Sequence, residues 1–215
     1  MSENEKHNEK MKRLKTSKQK IFANKTIKKG LIIVHTGTGK GKSTAAFGMV
    51  FRGIAHGMPC AVVQFIKGAM ATGERDLIQK YFHEFCEFHT LGDGFTWDTQ
   101  DKEKDIESAK KAWGKAKELI LDKEKKIILL DEINIALRYG YIEIDDVVTF
   151  LQEKKPEMSH VILTGRNADE KLINIADLVT DMTLVKHHFR NGVMSQEGIE
   201  SVSYTHLTLP TKRIV

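Results

Sequence analysis

Short apolar runs alternate with longer amphipathic stretches along most of the chain, and this pattern predicts strands followed by helices. The apolar runs predict strands at Leu31–His35, Cys60–Ile66, Cys86–Leu91, Lys126–Asp131, His160–Thr164 and Leu178–Val185. The stretches between them predict helices at Lys42–His56, Gly73–Phe82, Asp101–Leu121, Ile144–Glu153 and Ala168–Ala176. Repeated strand–helix units predict an α/β fold, with a mostly parallel sheet, helices on both faces and right-handed crossovers.

Both ends of the chain depart from this pattern and divide it into three parts. Residues 1–22 are polar and predict a basic N-terminal arm that is either mobile or forms a helical lid. Residues 23–200 carry the strand–helix units and predict one domain. Residues 201–215 show no helical period, although Thr-Leu-Thr-Leu-Pro alternates as an edge strand would. We expect this tail to be non-native or disordered, as the product of a cloning or sequencing artefact would be.

Composition places the chain among soluble proteins. Its 215 residues are 40% hydrophobic and 29% charged, as in ordinary globular domains. No apolar run reaches the roughly 18 residues of a membrane span, and the charged N-terminus lacks the apolar core of a secretory signal. Cys60 and Cys86 are too few for a disulfide framework and form no CxxC pair, so we expect reduced, buried thiols and a cytoplasmic location.

The net charge of +5 is concentrated at the N-terminus. Residues 1–30 contain ten lysines or arginines and three glutamates, so their formal charge is +7 and that of the remaining chain is −2. Such an arm could bind nucleic acid, remain a solvated tail, or fold over an anionic ligand. It has no aromatic residue before Phe22, which disfavours binding to nucleic acid.

A glycine-rich segment joins the first predicted strand to the helix after it and suggests a phosphate-binding P-loop. Its residues are Gly37, Thr38, Gly39, Lys40, Gly41, Lys42, Ser43 and Thr44. In a P-loop, backbone N–H groups and a helix N-terminus surround an anion, a lysine reaches the outer phosphates, and a hydroxyl binds Mg²⁺. The segment is one residue shorter than the usual pattern, so a surface turn is the alternative. We predict binding of a nucleoside triphosphate and a single P-loop NTPase-like (RecA-like) domain.

Charged residues follow three of the other predicted strands. Asp131 and Glu132 end the fourth strand, where one acid can hold Mg²⁺ and the other can orient a water or a loop. The alternative is that they only begin a helix. Lys67 and Arg166 follow the second and fifth strands, where ligands of open α/β sheets bind, although a surface ion pair is the default for each. We therefore expect the acids beside the P-loop and both cations near phosphate.

Aromatic residues form a further candidate group. Phe95 and Trp97 lie two positions apart in a predicted loop, so they either pack into the core or face a flat ligand. Tyr139 and Tyr141 follow the acidic strand and either extend such an aromatic wall or simply pack.

Several motifs, in order and with compatible spacing, resemble one family. They are TGTGKGKSTAAFG, VVQFIKG, GERDL, GFTWDTQ, LLDEIN, ILTGR and VKHHFRNGV. Together they are similar to the P-loop type of corrinoid adenosyltransferase, over about residues 27–200. The resemblance implies transfer of the 5′-deoxyadenosyl group of ATP to cobalt(I) of a corrinoid, cobalamin or a precursor, with release of triphosphate.

The resemblance also implies roles for individual residues. Residues 37–44 match the family's phosphate-binding stretch, Ser43 and Glu132 its metal-binding positions, and Phe95 and Trp97 an aromatic pair. In the family, that pair packs against the corrinoid and keeps the lower axial ligand from cobalt, which eases reduction to cobalt(I). Family members work as homodimers in which an N-terminal helix helps to cover the corrinoid, and a reduced flavoprotein is a candidate electron donor.

Two other functions remain open at the level of the sequence. A P-loop ATPase or nucleoside kinase would cleave the γ-phosphate, but we identify no residue that would orient water or act as the acceptor's base. A nucleic-acid-binding module would depend on the basic arm, and the negative charge of the remaining chain argues against it.

Overall fold

The computed structural model describes residues 2–65, 72–91, 102–196 and 198–199. Its strands are β1 Ile32–Thr36, β2 Cys60–Gln64, β3 Cys86–Thr90, β4 Ile127–Asp131, β5 His160–Thr164 and β6 Leu178–Asp181. Its α-helices are α1 Glu3–Ala23, α2 Lys42–Ala55, α3 Gly73–Tyr81, α4 Lys102–Leu121, α5 Ile133–Arg138, α6 Ile144–Lys154 and α7 Glu170–Ile175. A 3-10 helix spans His188–Asn191.

The strands of the described residues form one six-stranded sheet in the order β3-β2-β4-β5-β1-β6. Every neighbouring pair is parallel, so the predicted α/β fold with a parallel sheet is confirmed. The order places β5 between β1, which leads into the glycine-rich loop, and β4, which ends in the two acids. The acidic strand is therefore not the direct neighbour of the P-loop strand, and β5 must carry the connection between them.

Two apolar clusters cover the two faces of the sheet. On one face, α2 packs through Phe47 and Val50 against inward-facing residues of the central strands, such as Leu129. On the other face, α4 packs through Trp113 and Ile120 and is joined by residues of α5, α6 and α7. The central strands β1, β2, β4 and β5 are buried on both faces, which explains their near-continuous apolar runs, whereas the edge strands β3 and β6 are largely half-buried or exposed.

The structure corrects several element boundaries. The last strand ends at Asp181 rather than Val185, because β6 stops where the chain turns toward the glycine-rich loop. The short helix α5 follows Glu132 directly and was not predicted. Cys60 and Cys86 are free and buried, as expected; burial raises the pKa of their thiols to about 11 and about 12, respectively.

The N-terminal arm is helical. Helix α1 begins at a capping box formed by Ser2 and Glu5 and has no buried residue. Apolar side chains of Met11, Leu14, Ile21 and Phe22 are exposed on it. Among the described helices, none has the length and apolar character needed to cross a membrane.

Candidate active site

The glycine-rich loop forms a tight cradle between β1 and α2. Gly37 and Gly41 adopt positive φ angles of 99° and 103°, a conformation that a side chain would strain. A Cβ atom on Gly39 would lie 2.6 Å from the carbonyl oxygen of Met182. Gly41 is the N-cap of α2 and offers no side chain to the first N–H groups of that helix. These groups and the positive end of the helix dipole therefore remain available to an anion.

Residues after β6 form one wall of this cradle. The backbone N–H of Met182 donates to the carbonyl of Thr36 at 2.9 Å, and its carbonyl accepts from Gly39 N–H at 2.6 Å. The Asp181 carboxylate lies against Gly37, where any side chain on residue 37 would collide with it. The local sequence pattern gave no sign of this wall, because β6 reaches the loop only through its parallel pairing with β1.

Lys42 lies inside the cradle as a buried cation. Its Nζ donates to the carbonyl of Gly39 at 2.5 Å, and only 7% of the residue is exposed. Burial lowers the pKa of Lys42, the nearby Glu132 charge opposes this, and the charges of Arg166 and Lys40 lower it further. Three cationic side chains therefore share one small region, an arrangement that favours a polyanionic ligand.

One register of the sheet carries polar residues across all six strands. This polar row consists of Thr90, Gln64, Asp131, Thr164, His35 and Thr180. Side chains alternate along a strand, and the row lies two residues beyond apolar residues that pack against α2. The row therefore occupies the α2 face, and His35 Nδ1 lies 3.2 Å from the carbonyl oxygen of Lys42.

A chain of hydrogen bonds runs along the polar row. Gln64 Nε2 donates to Asp131 Oδ2 at 3.0 Å, and Thr164 Oγ1 donates to Asp131 Oδ1 at 2.8 Å. The same Thr164 oxygen accepts from the backbone N–H of Glu132 at 2.9 Å. Both carboxylate oxygens of Asp131 thus accept hydrogen bonds from side chains of the neighbouring strands β2 and β5. Strand β5 in turn connects the acids to β1, which leads into the P-loop.

Glu132 turns out of the sheet at the end of β4. Its φ angle of 63° lies in the left-handed region, and it is the N-cap of α5 without a side-chain capping bond. Its Oε2 faces Gly165, whose Cβ, if present, would lie 3.3 Å away. Asn134 Nδ2 donates to the carbonyl of Gly165 at 3.1 Å. Glycine at position 165, with φ of 131°, therefore leaves room for both side chains.

The structure brings most of the predicted site residues together. Residues 37–44, Asp131, Glu132 and Arg166 lie around the carboxyl ends of β1, β4 and β5. Thr38, Lys40, Thr44 and Arg166 are exposed, and Ser43 is half-buried. Lys67, Phe95 and Trp97 lie outside the described residues. Within the described ranges, no three histidine, cysteine or acidic side chains cluster as a metal site, so the candidate donors are the hydroxyl and carboxylates already named.

The short helix places two aromatic side chains near the start of α4. Tyr139 and Tyr141 stack with ring centroids 5.6 Å apart, and Tyr141 Oη lies 3.4 Å from Asp105. Tyr141 is buried, so its packing role is confirmed, whereas Tyr139 remains 48% exposed. Helix α4 begins soon after Phe95 and Trp97 in the sequence, so the exposed Tyr139 stays a candidate for the aromatic wall.

Comparisons with known proteins point to one family of enzymes. The family model described as ATP:corrinoid adenosyltransferase BtuR/CobO/CobP matches residues 28–201. A corrinoid adenosyltransferase of Sinorhizobium sp. is 65% identical over 194 residues, which is 90% of this chain and 91% of that protein. One of Pseudomonas aeruginosa is 46% identical over 91% of this chain and 96% of that protein. One of Escherichia coli strain K12 is 39% identical over 91% of this chain and 98% of that protein.

Proposed function

The chain belongs to the ATP:corrinoid adenosyltransferase family, and we propose that its glycine cradle holds the triphosphate of ATP as the leaving group. The observation that carries this proposal is the buried Lys42, which shares its region with Arg166 and Lys40 at an uncapped helix N-terminus. Three cations and a set of free N–H groups suit a ligand with several negative charges that increase as the reaction proceeds.

The reaction transfers a carbon centre rather than a phosphoryl group. An electron pair of cobalt(I) forms the bond to C5′ of ATP, and the C5′–O5′ bond breaks. Triphosphate departs with the electron pair of the broken C5′–O5′ bond, while the cobalt pair becomes the Co–C5′ bond and cobalt is formally oxidised to cobalt(III). No proton leaves the nucleophile, so the site needs no general base. Lys42 and the loop N–H groups stabilise the charge that develops on the departing oxygen.

The residues fit a divalent cation, which we assign as Mg²⁺. Ser43 and Glu132 would hold it, because hard cations prefer hydroxyl and carboxylate oxygens. When bound, Mg²⁺ supplies positive charge to the triphosphate oxygens. Both carboxylate oxygens of Asp131 accept hydrogen bonds, one from Gln64 and one from Thr164. We therefore assign Asp131 to positioning the neighbouring acid rather than to direct ligation of the cation.

The remaining roles follow from the family resemblance. We assign Phe95 and Trp97 to the corrinoid face, and helix α1, with its exposed apolar side chains, to covering that substrate. A homodimer, a cytoplasmic location and a reduced flavoprotein as electron donor complete the proposal. The boundaries of the arm, the domain and the tail of residues 201–215 remain predictions.

Product analysis tests the proposal directly. The full chain is incubated with ATP, Mg²⁺ and chemically reduced cobalamin, and the products are separated. We expect triphosphate and an adenosylated corrinoid in equal amounts, accompanied by the optical change at cobalt. ADP or phosphate as the sole nucleotide-derived product, with no change in the corrinoid, would instead favour the kinase or ATPase alternative.

A further inference from the structure

Gln64 ends β2 as a fully buried amide whose two polar atoms have different surroundings. Its Nε2 donates to Asp131, whereas Oε1 is buried and accepts no hydrogen bond in the described part of the chain. The Asp131 carboxylate can only accept, so it requires the NH₂ group of Gln64 to face it. This fixes the orientation of the amide. A buried acceptor without a donor is unfavourable, so we expect an external donor.

The position of Gln64 narrows the chemistry of that donor. Gln64 pairs with Asp131 in the polar row, on the face of the sheet where α2 begins with Lys42 and Ser43. Phosphate oxygens of a nucleotide are acceptors and cannot satisfy another acceptor. A magnesium ion in a nucleotide site keeps several of its water ligands, and these are strong O–H donors.

We propose that Gln64 is a positioning residue for the divalent cation: Nε2 holds Asp131, and Oε1 accepts a hydrogen bond from a water bound to the cation. This inference rests on the cation site in the proposed function. It assigns to one amide the two contacts that an outer-shell residue makes, one to the acid beside the metal and one to the metal's own water. Loss of such outer-shell partners typically weakens metal affinity about 10–100-fold.

The test compares ATP affinity with and without the cation. Isothermal calorimetry on the full chain gives the dissociation constant of ATP in Mg²⁺ and in EDTA, and their ratio reports the cation alone. Gln64→Met keeps the side-chain volume but removes both polar atoms. We expect it to reduce the cation-dependent gain in affinity about 10-fold or more, with affinity in EDTA changed less than about 2-fold.

A second variant should change the cation-dependent gain in ATP affinity in the opposite direction, which a folding defect would not do. Gln64→Glu keeps an acceptor toward the cation and adds negative charge beside Asp131, so we expect weaker ATP binding in EDTA and a larger gain from Mg²⁺. A purely structural amide would make both variants lose affinity equally in the two conditions, which would overturn the inference. Mn²⁺ in place of Mg²⁺ gives a second readout, because electron paramagnetic resonance measures free Mn²⁺ and therefore gives the bound Mn²⁺ by difference.

Two further variants separate this inference from the proposed function. Ser159→Ala removes a hydroxyl that is equally buried but lies at the opposite end of the sheet, and we expect no change in the ratio. Glu132→Gln should reduce the ratio as strongly as Gln64→Met. A response to Glu132→Gln with none to either Gln64 variant would reject the role of Gln64 alone. Wild-type binding that ignores Mg²⁺ would reject both the cation site and this inference.

Discussion

The two ends of the parallel sheet both bury polar and charged side chains, but they complete the bonding of these groups differently. At the amino end, Lys155 Nζ donates to the carbonyls of Gly30, Pro156 and Ser159 at 3.1, 3.0 and 3.0 Å. The ring nitrogen Nδ1 of His160 accepts from the N–H of Leu31 at 3.1 Å. These contacts join the start of β1 to the turn before β5.

At the carboxyl end, cationic side chains lie close to one another, and some buried oxygen atoms accept no hydrogen bond from the described residues. Lys42 shares its region with Arg166 and Lys40. The amide oxygens of Gln64 and Asn134 are buried and accept no hydrogen bond from the described residues. Polar burial at the amino end therefore stabilises the fold, whereas polar burial at the carboxyl end costs stability, a cost that we expect ligand binding to offset.

The largest expected effect separates the two ends by activity. Lys42→Ala removes the cation that we assign to the leaving group, so kcat/KM for triphosphate release should fall about 10²–10³-fold, as for loss of one transition-state donor. The variant should be at least as stable as the wild type, because it removes a buried charge that lies close to other cations. Steady-state kinetics and urea unfolding measure the two quantities.

Lys40→Ala is the matched control for this variant. Lys40 belongs to the same loop but is exposed, so solvent screens its charge and the loss of kcat/KM should be below about 10-fold. Equal losses in the two variants would show that the loop contributes only a general positive field. A large drop in the stability of Lys42→Ala would break the contrast between the two ends.

The next effect is expected in stability alone. Lys155→Met keeps the apolar stem of the side chain but leaves the carbonyls of Gly30 and Ser159 without its ammonium group. The free energy of unfolding should fall by about 1–3 kcal/mol, the usual cost of buried acceptors that lose their donor. Activity per folded molecule should not change. Urea unfolding monitored by circular dichroism measures the first quantity, and triphosphate release the second.

Lys154→Met is the control, because Lys154 is the exposed neighbour on the last turn of α6. We expect less than about 0.5 kcal/mol from this surface substitution. If Lys155→Met lowered activity without lowering stability, the assignment of the amino end to stability would be wrong.

Local patterns predicted the positions of the strands and of the long helices, because each element carries its own periodicity. Glycines at positions 37 and 41 likewise predicted a tight loop, and the structure gives both the positive φ angles that glycine tolerates best. The acids at the end of β4 were identified from an apolar run followed by charge. These features depend on neighbours in sequence.

The remaining features depend on contacts between distant segments. Strand order decides that β5 separates the acids from the P-loop, so the link through Thr164 could not be read from the sequence. The Asp181–Met182 wall depends on the pairing of β6 with β1. Helix α5 spans only Ile133–Arg138, which is too short to show a helical period.

The smallest effect that we expect is a pH dependence of folding stability that arises at the amino end of the sheet. Burial, and then the charge of Lys155, lowers the pKa of His160 below its usual 6.5. Below about pH 6.5 the unfolded chain binds a proton at this histidine that the folded chain resists, so folding stability declines as the pH falls toward the lowered pKa. His160→Asn keeps an acceptor for Leu31 N–H but cannot titrate. Urea unfolding at pH 7.5 and 5.5 should therefore show a smaller acid-induced loss of folding stability in the variant than in the wild type.

Because the ring of His160 lies far from the cradle, the pH dependence of triphosphate release should be the same in both proteins. A shifted activity profile would mean that the two ends of the sheet are coupled.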